Sequence, residues 1–154
     1  APRSPDAPIL GRAEWISVGL VGLMMGLGAM IIYWLPVWPA GLTAHEVSRS
    51  KLTMVFTMLA LSPLSHAFNC RSRTASIFRL GLFTNPLLVG AVVISGLIHL
   101  LSLAVPALLP VFHTDHTWSA TEVAVVVGLS LLPVPVIELM KLLKIGAPKP
   151  RPAA

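Results

Sequence analysis

Charge is what this sequence has least of. Of 154 residues, 11 are Lys or Arg and 6 are Asp or Glu, so charged residues make up 11% of the chain. Soluble domains carry roughly a quarter. The shortage falls in blocks. No Asp, Glu, Lys or Arg occurs in the 31 residues from Trp15 to His45, the 19 from Leu52 to Cys70, the 35 from Leu80 to Thr114 or the 15 from Val123 to Ile137. Cysteine is nearly absent too: Cys70 stands alone, which excludes a disulfide within the chain. Catalytic signatures are missing as well. There is no Walker loop, no GxSxG, no HExxH and no paired-carboxylate arrangement, so no self-contained catalytic site and no cofactor is expected. No repeat or low-complexity tract occurs beyond the tail Pro148-Lys149-Pro150-Arg151-Pro152.

Apolar residues fill the space, at 55% of the chain and a mean hydropathy of +0.82. A bilayer-spanning helix needs about 20 apolar residues. The charge-free blocks therefore predict an all-α, four-helix polytopic transmembrane bundle, with spans at about 15–37, 52–69, 84–105 and 118–143. Residues 1–14 then form an N-terminal cytoplasmic segment, 15–143 the membrane domain, and 144–154 a Pro-rich basic tail. Barrel strands are disfavoured because the runs are continuous rather than alternating. The first run is also too long for a signal-peptide core.

The net charge of +5 points to a membrane rather than a nucleic acid, because the basic residues flank the spans. With both termini cytoplasmic, the inside holds Arg3, Arg12, Arg71, Arg73, Arg79, Lys141, Lys144, Lys149 and Arg151, and the outside only Arg49 and Lys51. That is the positive-inside bias. Trp15, Trp34, Trp38 and Trp118 all fall near a boundary, the depth that amphipathic indoles favour.

Inside the spans, Gly19, Gly22, Gly26 and Gly28 crowd the first helix. Gly22-x-x-x-Gly26 has the spacing of a close-packed helix face, against the plainer reading that glycine is common in membrane helices. Pro63 lies within the second span, and Pro133 with Pro135 within the fourth. Proline removes a backbone hydrogen bond, so the last span is expected to kink or unwind. Glu138 lies within the fourth span, near its cytoplasmic end and three residues before Lys141. That spacing favours a local ion pair over ion transport. His66 and His99 are intramembrane ionisable groups and so functional candidates, although a neutral, hydrogen-bonded His is the commoner case. His113, Asp115 and His116 on the last outer loop are potential zinc donors, but a solvated loop is the simpler reading. No metal site is expected.

Several segments resemble one family in order along the chain. The opening Ala1-Pro-Arg-Ser-Pro-Asp-Ala-Pro-Ile-Leu resembles the loop before the seventh membrane helix of type II P-type cation ATPases, and the glycines from Gly19 to Gly28 resemble that helix. Met58-Leu-Ala-Leu-Ser-Pro-Leu-Ser-His-Ala-Phe-Asn-Cys-Arg-Ser-Arg73 is similar to their eighth helix and its cytoplasmic exit. Ser76-Ile-Phe-Arg-Leu-Gly-Leu-Phe-Thr-Asn85 is similar to the approach to the ninth. Pro106, Pro110, Phe112 and Trp118, followed by Glu138-Leu-Met-Lys141, are similar to the ninth-to-tenth loop and the tenth helix.

The resemblance implies the C-terminal membrane domain of a calcium-pump-like, bacterial cation ATPase. The expected location is the bacterial inner membrane, and the expected partners are other transmembrane helices and the lipid bilayer, with no nucleic acid. The family's phosphorylation motif and helices one to six are not in these residues. Its eighth-helix cation ligand would fall at Pro63, which has no ligating side chain. Two roles stay open: a membrane-support domain of the pump, or a free-standing structural subunit of another membrane complex derived from it.

Overall fold

A computed structural model describes residues 12–34, 43–72, 74–112 and 118–145. Among these residues the fold is entirely helical. The first helix, α1 (Arg12–Trp34), begins at the last charges before the first apolar block and runs 23 residues. Its glycines do not break it. In an apolar medium a helix satisfies its own backbone, whereas an unwound segment would leave polar groups bare.

Helix α2 (Ala44–Ala67) has 24 residues, or about 36 Å at 1.5 Å per residue, longer than the roughly 30 Å hydrocarbon core. A reciprocal cap starts it: Glu46 N–H donates to Thr43 Oγ1 at 3.4 Å and Thr43 N–H donates to Glu46 Oε2 at 2.8 Å. Two orphan donors are satisfied at once. The helix therefore begins eight residues before Leu52, with Arg49 and Lys51 in its first two turns.

Between α2 and the next long helix the chain makes a 3-10 turn (Asn69–Arg71), a one-turn helix α3 (Ile77–Leu80) and a second 3-10 turn (Leu82–Thr84). Gly81 ends α3 with φ +77°, a left-handed conformation that glycine takes without strain. A Cβ there would also lie 3.0 Å from Thr84 Cγ2. Helix α4 (Pro86–Ala104) starts with Pro86 in its first turn and Asn85 capping Leu88 N–H at 3.1 Å. The one-turn α5 (Leu109–Phe112) follows.

The last span is two helices end to end, α6 (Ala120–Leu131) and α7 (Pro133–Leu142), joined at Leu132. The break follows from Pro133 and Pro135, which supply no N–H to the preceding turn. A second reciprocal cap, Ser119 with Glu122, starts α6.

Three helical stretches are long and apolar enough to cross a membrane: Trp15–Trp34, Pro86–Ala104 and Ala120–Leu142. Helix α2 has the length but is too polar to join them. It is instead the hub, packing against α1, α4, α6 and α7. Ile32, Met54, Met58 and Val126 form the apolar centre between α1, α2 and α6, with Trp118 packed against it.

Elsewhere the arrangement is inverted relative to a soluble protein. Among the described residues ten polar or charged side chains are buried against seven hydrophobic ones, while Leu87, Ile98 and Leu101 of α4 face outward. Such exposure would aggregate in water. With lipid as the surrounding solvent it is the expected distribution, because polar groups hydrogen-bond between helices and apolar ones face acyl chains.

Candidate functional site

Polar side chains along α2 form a seam that ties the bundle together. At the end carrying Arg71 and Lys141, Lys141 Nζ lies 2.8 Å from Glu138 Oε1, with both side chains nearly enclosed. The same ammonium donates to the carbonyl of Asn69 at 3.1 Å. Glu138 Oε2 accepts the N–H of Ile77 at 3.2 Å, so the carboxylate anchors the start of α3 to α7. Buried charges persist only when paired and hydrogen-bonded, and these two are both. Glu138 is thereby committed to holding the α2–α4 connection.

The proline break is served by the last turn of α2 and the 3-10 turn after it. Asn69 Nδ2 donates towards the carbonyls of Pro133 and Val134 at 3.3 and 3.4 Å. Ser65 Oγ donates to the carbonyl of Ser130 at 2.8 Å. Carbonyls next to an interrupted helix can take a cation when they line a cavity; here those of Ser130, Pro133 and Val134 accept side-chain hydrogen bonds from Ser65 and Asn69. Nearby, Arg71 bridges the connection, donating to the Gly81 carbonyl and to Thr84 Oγ1 at 2.7 Å each.

Further along, His99 Nε2 lies 3.1 Å from Thr57 Oγ1. The imidazole is buried beside the Phe56 ring, with centroids 5.0 Å apart, and Phe56 in turn stacks on Phe112 at 6.0 Å. His99 thus links α4 to α2. His66 is half-buried, and its Nδ1 is enclosed with no hydrogen-bond partner among the described residues.

The glycines of α1 divide into two sets. A Cβ added at Gly19, Gly22 or Gly26 would meet nothing within 4 Å, whereas one at Gly28 would lie 3.1 Å from Met58 Cε. The face bearing Gly19, Gly22 and Gly26 is exposed, and Gly28 is the glycine packed inside the bundle. Pro63 is also exposed, on the outward side of α2. His113, Asp115 and His116, Trp38, the N-terminal segment up to Gly11 and the tail from Gly146 lie outside the described residues. Among the described residues no group of three His, Cys, Asp or Glu side chains could hold a metal ion.

Some residues in this network escape a reading of local pattern. Asn69 and Thr57 act through partners on distant helices, and no local period encodes such a register. The two caps are different, since Thr43-x-x-Glu46 and Ser119-x-x-Glu122 are legible as capping boxes. Gly28 is legible too. It lies nine residues, about two and a half turns, from Gly19, and so on the opposite face.

An apolar exterior and a hydrogen-bonded polar interior define a membrane-embedded helical domain. Comparison with known proteins says which. Residues 1–143 match the family described as "Cation transporting ATPase, C-terminus". The chain is 36% identical over 109 residues to "Calcium-transporting ATPase 1" of Bacillus cereus, covering 71% of this chain and 12% of that protein. It is 33% identical over 135 residues to "Calcium-transporting ATPase" of Bacillus subtilis, covering 86% and 14%. Against "Calcium-transporting ATPase type 2C member 2" of Mus musculus it is 31% identical over 141 residues, covering 92% and 14%. The chain belongs to the C-terminal membrane-domain family of cation-transporting ATPases, and spans about one-eighth of the length of these relatives.

Proposed function

We propose that this chain is the membrane-support domain of an ATP-driven cation pump, with calcium, the ion its relatives are named for, as the candidate cargo. It holds the ion-binding helices in place and supplies no catalytic group itself. In this reading α1, α2, α4 and the α6–α7 unit all cross the bacterial inner membrane, with both termini cytoplasmic. Helix α2 crosses as the enclosed, polar member, which its central position supports. With Pro63 at the family's ligand position, the cation is coordinated by helices beyond this chain.

The observation that carries the proposal is the bare face at Gly19, Gly22 and Gly26. Lipid tails are as apolar as Leu, so association between membrane helices depends on close van der Waals contact, which small residues permit. Among the described residues the contact is unmade, and the face suits a helix from the remainder of the pump. Gly22→Leu should fill the groove and reduce co-purification of the pump's other membrane helices by about tenfold. Insertion should persist, because Leu favours the bilayer. Undiminished association would remove this face as the docking surface. For topology, a cysteine placed at Thr114 in a Cys70→Ser background should react with an impermeant reagent on intact cells. Reaction only after permeabilisation would reverse the orientation.

A further inference from the structure

A cavity of about 440 Å³ lies between α2, α4 and the α6–α7 unit, at the end of the bundle carrying Arg71 and Lys141. Leu61 of α2, Phe68 just after it, Val92 of α4 and Val134 of α7 line it, together with Phe78 and Leu82 from the connection. Two hydroxyls reach the wall, and both are spoken for. Ser65 Oγ donates to the carbonyls of Ser62 and Ser130, and Ser130 Oγ to that of Val126. Among the described residues the wall therefore offers no free hydroxyl donor.

Water is a poor occupant, since a buried water wants two to four polar partners. Emptiness is also unfavourable, because the lining then forfeits its dispersion contacts on one side. The volume falls in the range of roughly 300–1,000 Å³ typical of small-molecule sites. Lining residues Val127, Leu131, Phe78 and Leu82 are exposed, and Val127 and Leu131 belong to a charge-free stretch of an apolar span. The medium meeting the cavity at those residues is acyl chain.

Charge next in sequence to the lining residue Phe78 says which amphiphile fits. Arg79 follows Phe78 on α3 and is exposed, and among the described residues no group takes up its charge. The neighbouring cations are committed, Arg71 to Gly81 and Thr84 and Lys141 to Glu138 and Asn69. A guanidinium matches phosphate oxygens in a bidentate fork. The geometry points to a phospholipid site, with one acyl chain filling the cavity and the phosphate of an anionic headgroup resting on Arg79. This inference uses the membrane character of the chain and is independent of the glycine face.

The test is native mass spectrometry of the protein extracted from vesicles of equimolar palmitoyl-oleoyl phosphatidylglycerol and phosphatidylcholine. One phospholipid should remain bound per chain, with phosphatidylglycerol preferred about fivefold. Gly96→Leu should project into the cavity without a backbone clash, since a Cβ at Gly96 meets nothing within 4 Å. Retention should then fall at least about tenfold, and Val92→Trp should do the same. Arg79→Gln should keep a bound lipid and lose the headgroup preference. Leu97→Trp, on the exposed side of α4, should change neither. Circular dichroism fixes that each variant keeps its helices, and either filling variant with native helicity suffices. Lipid-free wild-type protein, detergent in place of phospholipid, retention unchanged on filling, or equal loss in Leu97→Trp would each overturn the site.

Discussion

Helices α2 and α4 are both long enough to cross a bilayer, and they solve the problem in opposite ways. The α4 span is thoroughly apolar, and 11% of its most apolar stretch is buried in the bundle, against 28% for the α6–α7 span. Helix α2 carries Ser50, Thr53, Thr57, Ser62, Ser65 and His66, and it is the hub. In water the more polar helix would be outermost. In lipid the order reverses, because an unsatisfied polar group in hydrocarbon costs several kcal/mol, whereas an exposed Leu costs nothing. Burial in this fold is therefore led by hydrogen bonding, and apolar character marks the periphery. That contrast is open to test by striking each helix where its own logic holds it.

The largest effect is expected at the polar end of the hub. Glu138→Leu removes the carboxylate that Lys141 and the Ile77 N–H both use. It leaves an ammonium enclosed with only the Asn69 carbonyl as partner. Breaking a buried pair from one side costs about 3 kcal/mol. The double variant Glu138→Leu/Lys141→Leu should recover much of that loss, since no charge is then left bare. Unfolding titrations in mixed micelles would read both values. A double variant no better than the single would mean that the clasp on α3, rather than the charge, carries the stability.

Next in size is the contrast within α1. Gly28→Leu must displace Met58, whose Cε would lie 3.1 Å from the added Cβ. Overpacking of this kind costs typically 1–3 kcal/mol, here about 2. Gly22→Leu, with open space around it, should change the stability of the isolated chain by less than about 0.5 kcal/mol and act on docking alone. Equal destabilisation by the two would show that the exposed face is packed in the protein's own fold.

That contrast also shows what a sequence of this kind discloses. Charge-free length locates α1, α4 and the α6–α7 unit, because the bilayer imposes one number, its thickness, on every span. The same rule starts the second span at Leu52, and the helix starts at Ala44. The Thr43/Glu46 cap wins over Arg49 and Lys51, which a helix can carry at a membrane surface by extending long side chains to the interface. Length alone does not make α2 a span by apolarity, because its polar face is what the other helices surround. Within the site, Glu138 and Lys141 are legible together from a spacing of three. Their attachment to Asn69 and Ile77, 72 and 61 residues away from Lys141 and Glu138 respectively, is a matter of helix register, which no local pattern records. The prolines declare a break, and only the packing shows that Ser65 and Asn69 donate to the carbonyls of Ser130, Pro133 and Val134 beside it.

The smallest effect tests the contrast where the two helices touch. Thr57 Oγ1 and His99 Nε2 are 3.1 Å apart, a single hydrogen bond between the polar hub and the apolar α4. Thr57→Val keeps the shape and removes the hydroxyl, which should cost about 0.6 kcal/mol, the average for interhelical hydrogen bonds in membranes. The loss is modest because a freed imidazole finds other partners when α4 separates. Leu97→Ala, on the exposed side of the same helix, removes three carbons and should cost less still, since Leu and Ala both face lipid in the folded and the separated states. If hydrophobic burial organised this bundle, the order would invert and the leucine would outweigh the hydroxyl. A stability series on Thr57→Val, Leu97→Ala and the pair combined decides it. Additive effects are expected, because one residue acts through α2 and the other through the bilayer.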